Sequence, residues 1–158
     1  MSVPTIYPTG TTVYQPEKCW NGFTILSGQD GRLIDMNGNL AHLWKGPFGF
    51  PNKMLPDGHL LASRGAWKDG PEEAVEIQVR NFADQVLWKF DRWEEGRANE
   101  GDGKMWVARQ HHDMQIKGYR IPDFKVQDFT KGTLLVLAHY NVKNDKINNN
   151  MELLDDVV

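Results

Sequence analysis

The chemistry open to this chain rests first on five histidines, His42, His59, His111, His112 and His139. A neutral imidazole can serve as nucleophile, general base or metal ligand, and an imidazolium can hold an anionic oxygen. The densest group is His111-His112-Asp113. On a strand, neighbours face opposite sides, so one of the two imidazoles at most enters a common cavity, and Asp113 falls on the side of His111. His112 is the first candidate for a catalytic role and His111 the second. His139 ends a strand predicted over 134–139, and Arg64 ends the equivalent strand over 59–64. Both are candidate substrate-binding groups, because a guanidinium can clamp an anion bidentately. His42 and His59 alternate with apolar residues in hairpins and read as structural. Asp155-Asp156 and Glu94-Glu95 are adjacent pairs, so neither forms an acid–base dyad by spacing alone. Gly31, Gly38 and Gly58 occupy hairpin turns with no helix after them, which argues against a phosphate-cradling loop. The spacing assigns no metal ligands.

Composition narrows the field. The chain has 158 residues, 40% hydrophobic and 25% charged, with six tryptophans that can bury large apolar area at few positions. A net charge of -3 without a basic run speaks against nucleic acid and anionic membrane as partners. Cys19 is the only cysteine, which excludes an intrachain disulfide and a multi-thiolate zinc site, and reads as a partly buried small hydrophobe. The N-terminus lacks the basic and apolar regions of a signal peptide, and no apolar run approaches a membrane span. The expected location is the cytoplasm.

Positioning the histidines falls to strands. Short β-type runs over 23–26, 32–36, 40–44, 53–55, 59–64, 74–80 and 85–91 are separated by turn signals, among them Asn37-Gly38 and Pro56-Asp57-Gly58. A charged segment over 91–98 is the best helix candidate, and 47–51 reads as a loop. The run from Leu33 to Trp44 repeats from Ile77 to Trp88, an offset of 44 residues. Gly58-His59-Leu60-Leu61-Ala62 returns as Gly132-Thr133-Leu134-Leu135-Val136. Four short strands per repeat of this length make a propeller blade. The expected fold is therefore all-β, a partial β-propeller of about two and a half four-stranded blades. An N-terminal extended segment covers 1–22 and the partial propeller 23–158. Residues 23–46 give the outer strands of a first blade, 50–92 a second, and 111–158 an incomplete third with insertions. Residues 92–109 and 117–131 are longer than blade turns and read as insertions whose aromatics (Trp93, Trp106, Tyr119, Phe124, Phe129) pin them to the body. Residues 155–158 match the start of a third strand, where Ala74-Val75-Glu76 lies in the preceding blade. The expectation is that later blades come from a second polypeptide or a C-terminal remainder.

Several segments resemble the arylsulfotransferase-like β-propellers. They are Gly10-Thr11-Thr12-Val13-Tyr14-Gln15-Pro16-Glu17-Lys18 with Asn21-Gly22-Phe23-Thr24-Ile25-Leu26, the Leu33–Trp44 hairpin with its Asp35, Gly38, His42 and Trp44, Met54-Leu55-Pro56-Asp57-Gly58-His59-Leu60-Leu61, and His111-His112-Asp113 through Gly132-Thr133-Leu134-Leu135. The resemblance implies a six-bladed propeller with a central site. There a histidine carries a sulfuryl group from an aryl sulfate to a phenol without cofactor or metal, and the nucleophile lies in a later blade. It also implies a small aromatic substrate. Two other readings keep the propeller. One is a metal-dependent lyase or hydrolase whose channel histidines hold a divalent ion. The other is a non-catalytic subunit that offers an interaction surface.

Overall fold

The computed structural model of the chain describes residues 11–46, 48–55, 58–65, 73–96, 103–116 and 132–158. Apart from a 3-10 turn at Pro16–Lys18, the regular structure of these residues is entirely β. The first sheet holds β1 (Phe23–Leu26), β2 (Gly31–Asp35) and β3 (Leu40–Trp44). The second runs β4 (Phe48–Met54), β5 (Leu60–Arg64), β6 (Glu76–Arg80) and β7 (Val86–Phe90) in sequence order. A small hairpin pairs β8 (Glu94–Gly96) with β9 (Met105–Val107), and the third main sheet holds β10 (Gln110–Ile116), β11 (Leu134–Asn144) and β12 (Asn148–Val157). All pairings are antiparallel. No helix among the described residues is long and apolar enough to cross a membrane.

The middle strands of the second sheet, β5 and β6, are buried on both faces. Successive residues of β5 point opposite ways. Leu60 and Ala62 join Leu33, Trp44 and Phe48 against the first sheet, while Leu61 joins Ile77, Val79, Met114 and Ile116 against the third. Burying each such leucine contributes about 1.5–3 kcal/mol, so β5 needs cover on both sides, and its apolar run Leu60-Leu61-Ala62 follows from that. The first strands of the three main sheets also come together, since β4 lies beside β1 and β10. Lys53 of β4 reaches Asp113 of β10 at 2.6 Å.

The hairpin repeat is real, but its offset is 46 rather than 44. Leu33 pairs with His42 as Val79 pairs with Trp88, and Gly31 with Trp44 as Ile77 with Phe90. Trp44 therefore matches Phe90, and His42 matches Trp88, which corrects the expected equivalence of the two tryptophans. They do lie in adjacent sheets. The turn sets the register. Gly38 N donates to Asp35 O at 3.0 Å and Asp84 N to Asn81 O at 3.1 Å, with positive φ at Gly38 (82°) and Asp84 (63°). A slip of two keeps each side chain on its face, so the apolar pattern alone does not detect it. The second repeat holds as read. Met54–Leu60 pairing is reproduced at Ile116–Leu134, and a register shift in β4 between Phe48 and Asn52 recurs in β10 between Gln110 and Met114. Val157 faces Ala138 as Glu76 faces Arg64, in line with the match of 155–158 to Ala74-Val75-Glu76.

Other expectations are corrected. The segment read as a helix contains β8, whose Glu94 and Gly96 pair with Val107 and Met105, because it lacks the apolar stripe a helix would bury. The loop read at 47–51 is largely strand, since β4 begins at Phe48. The strand predicted to end at His139 continues to Asn144 and returns as β12. Cys19 is exposed. Trp93 donates its indole N–H to His139 O at 3.0 Å, tying its segment to β11, while Trp106 is exposed. The second insertion, 117–131, lies outside the described residues, as do Tyr119, Phe124 and Phe129.

The first hairpin turn gives a pH prediction. The Asp35 carboxylate accepts from Asn39 Nδ2 (2.9 Å), Asn39 N (2.8 Å) and Asn37 N (2.9 Å). These bonds, led by that of the Asn39 side chain, hold its pKa below the ordinary 3.8. A carboxylate depressed on folding stabilises above its unfolded pKa, and that contribution is lost as pH falls through the folded pKa. Asp35→Ala is therefore expected to lower the denaturation midpoint near neutral pH, with the gap to the parent closing in strong acid. An equal gap at both pH values would refute this.

Candidate functional site

The site forms where the start of β10 meets β11 and the approach to β6. Ala74 N donates to Gln110 O (2.7 Å), Ala108 N to Val75 O (2.8 Å) and His139 N to Arg109 O (3.1 Å), tying the segment to both neighbours. Arg109 and His112 have φ of 50° and 54°. Left-handed backbone is uncommon outside glycine, and here it flanks His111 at the register shift of β10. Strand alternation therefore fails at this point. The rings of His111 and His112 meet, Nδ1 to Nδ1, at 2.8 Å, instead of facing apart. Asp113 turns away from His111 and pairs with Lys53.

A buried ion pair anchors the cluster. Arg109 donates Nε–H to Glu73 Oε2 and Nη2–H to Glu73 Oε1, both at 2.9 Å. Its Nη1 reaches Glu94 and, at 2.8 Å, Asn141 Oδ1. Burial works against the guanidinium charge, but the bonds to Glu73 and Glu94 outweigh it and raise the Arg109 pKa. Glu73 Oε1 also lies 2.7 Å from His139 Nδ1. A carboxylate only accepts, so His139 carries a proton on Nδ1, and a neutral ring then keeps its lone pair on Nε2.

His139 stacks on His111 with ring centres 3.8 Å apart and planes 19° from parallel. Asp156, the cross-strand partner of His139, places Oδ1 3.2 Å from His111 Nε2 and 3.5 Å from His139 Nε2. His111 is 3% exposed. Burial, followed by the adjacent His139, pushes its pKa below the ordinary 6.5, so it is neutral at pH 7.

His112 is exposed and lines a cleft of about 400 Å³ with Ser27, Phe48, Phe50, Glu73 and neighbouring backbone. Of the four candidates, His111, His112 and His139 come together. Arg64 does not join them. Its guanidinium lies 4.4 Å over the Phe48 ring and bonds Lys45 O, backing the cleft wall. His42 stacks on Phe82 (3.8 Å) and meets Trp44 edge-on, the structural role expected of it. Sequence reasoning missed Glu73, Arg109, Asn141 and Asp156. Asp156 was accessible in principle. The argument that Asp155 and Asp156 face apart is sound, but it ignored the partner that the facing strand supplies. Comparison with protein-family models, curated proteins and solved structures finds no match.

Proposed function

We propose that the three main sheets are consecutive blades of a β-propeller of the arylsulfotransferase-like type, and that His112, rather than a histidine of a later blade, takes a sulfuryl group from an aryl sulfate held in the adjoining cleft. The observation that carries this reading is His112 at a cleft walled by Phe48 and Phe50. The two-sided burial of β5 and β6 supports the blade arrangement, since a sandwich sheet buries one face. Exposed Leu135 and Leu154, which share one face of the third sheet, are surface for a further blade to cover. That blade belongs to a C-terminal remainder or a second polypeptide, which also supplies donors to the sulfate oxygens.

The chemistry follows from the tautomers. His112 Nδ1–H donates to His111 Nδ1, leaving a lone pair on His112 Nε2. That nitrogen attacks sulfur, an N–S bond forms, and the S–O bond to the aryl group breaks, releasing a phenolate that takes a proton from water. A phenol then gives its proton to the hydroxide left by that step, its oxygen attacks the same sulfur, and the N–S bond breaks, returning the lone pair to His112 Nε2. Phe50, exposed at the cleft, offers apolar surface to the aryl ring.

The test is transfer from a chromogenic aryl sulfate to a phenol. His112→Ala is expected to lose at least about 100-fold in rate, along with the sulfuryl adduct seen by intact mass after quenching. Full activity in that variant would end the reading.

A further inference from the structure

We propose that His111, His139 and Asp156 form a binding site for a divalent transition-metal ion. One nitrogen or oxygen from each lies within 4.8 Å of the others. The two distances to Asp156 Oδ1, 3.2 and 3.5 Å, are close to the roughly 3.3 Å between ligand atoms on a tetrahedral ion with bonds of about 2.0–2.1 Å. The His111 and His139 rings stack 19° from parallel, so one ring must turn out of the stack for both Nε2 lone pairs to meet the ion. The site stands whether or not His112 transfers sulfuryl groups.

A separate observation points to a ligand. His111 Nε2 is buried and has no hydrogen-bond partner among the described residues. It faces Asp156 Oδ1 at 3.2 Å without the alignment of a hydrogen bond. An orphaned buried nitrogen is costly, and a metal ion would use its lone pair. The outer contacts fit as well. Ligating histidines commonly give their second N–H to a carboxylate, and His139 gives its own to Glu73, which Arg109 holds in place. The charge balance agrees. Glu73 and Glu94 pair with Arg109, the sole formal cation of the cluster among the described residues, while Asp156 lies against the two imidazoles, and a dication would offset the excess.

Two imidazoles and one carboxylate favour zinc, cobalt or iron(II) over calcium or magnesium. Asp156 is 64% exposed in its side chain, which gives the ion a path in and leaves a position for water. Ligation also has a consequence for His112. With its Nε2 on the metal, neutral His111 carries its proton on Nδ1 and donates it to His112 Nδ1. His112 then presents N–H, not a lone pair, to the cleft. An ion bound here would block sulfuryl capture and turn His112 into a hydrogen-bond donor.

Titration of the tag-free full chain with zinc chloride in a calorimeter, and with cobalt chloride followed by visible absorption, tests the site. One ion per chain is expected. His111→Ala and His139→Ala should abolish binding, Asp156→Asn should weaken it at least about 10-fold, and His59→Ala should leave it unchanged. Asp156 is exposed, so Asp156→Asn keeps the test valid if a histidine variant fails to fold. No saturable binding, or binding unaltered by Asp156→Asn, would overturn the site. Because the readout is binding, a failed sulfuryl-transfer assay does not affect it.

Discussion

Arg109→Met is expected to destabilise the chain by about 3–5 kcal/mol, the usual cost of removing one partner from a buried ion pair. The Arg109 side chain is 4% exposed and that of Glu73 is fully buried. Methionine fills much of the same volume, so the loss is chiefly electrostatic. It strips Glu73 of two charge-assisted bonds and leaves His139 as its remaining polar partner in the cluster. The loss also loosens the carboxylate that holds His139 by its Nδ1–H. Denaturant midpoints for Arg109→Met, Glu73→Gln and the double variant give the measurement. The double variant should be less destabilised than the sum of the singles, with a coupling of roughly 0.5–3 kcal/mol. A loss below about 1 kcal/mol in Arg109→Met would show that this pair does not hold the site together.

The strands were legible because their signals are local. Leu40–Trp44 and the Gly58–Ala62 motif can be read from alternation and turn residues alone, and the structure pairs them as read. The two-residue error in the hairpin repeat arose where alternation is blind. His42 and Trp44 share a face, as do Trp88 and Phe90, and only the turn bonds at Asp35 and Asn81 distinguish the registers. The site was legible in its histidines but not in its frame. Arg109 and His112 adopt left-handed backbone at non-glycine residues, for which sequence offers no cue, and that kink brings His111 and His112 into contact. Glu73 adjoins the undescribed residues 66–72 and reaches Arg109 only through the packing of the second sheet on the third. His139 and Asp156 face each other through a register that the pairing of Arg64 with Glu76 already implies.

Trp44→Ala is expected to cost about 3–5 kcal/mol and to open the cleft as well. Trp44 is fully buried between the first and second sheets, with Leu33, Phe48, Leu60 and Ala62 around it. Its indole N–H donates to Asn81 O at 2.9 Å, tying the end of β3 to the turn between β6 and β7. Its ring meets His42 edge-on at 4.3 Å and Phe82 at 5.7 Å. Alanine leaves a cavity and strands the Asn81 carbonyl, whereas Trp44→Phe keeps most of the volume and should cost mainly the lost bond, about 1–3 kcal/mol. The functional effect follows from position. Ser27 and Gly28 enter the cleft from the first sheet and Phe48 and Phe50 from the second, so loosening one sheet against the other shifts opposite walls. Trp44→Ala should therefore weaken any aryl ligand of the cleft under conditions where the chain is still folded, while zinc binding at His111, His139 and Asp156, all on the third sheet, is retained. Denaturant midpoints and the two titrations separate these effects. Equal loss of both ligands would mean that Trp44 supports the whole fold rather than the junction of the first two sheets.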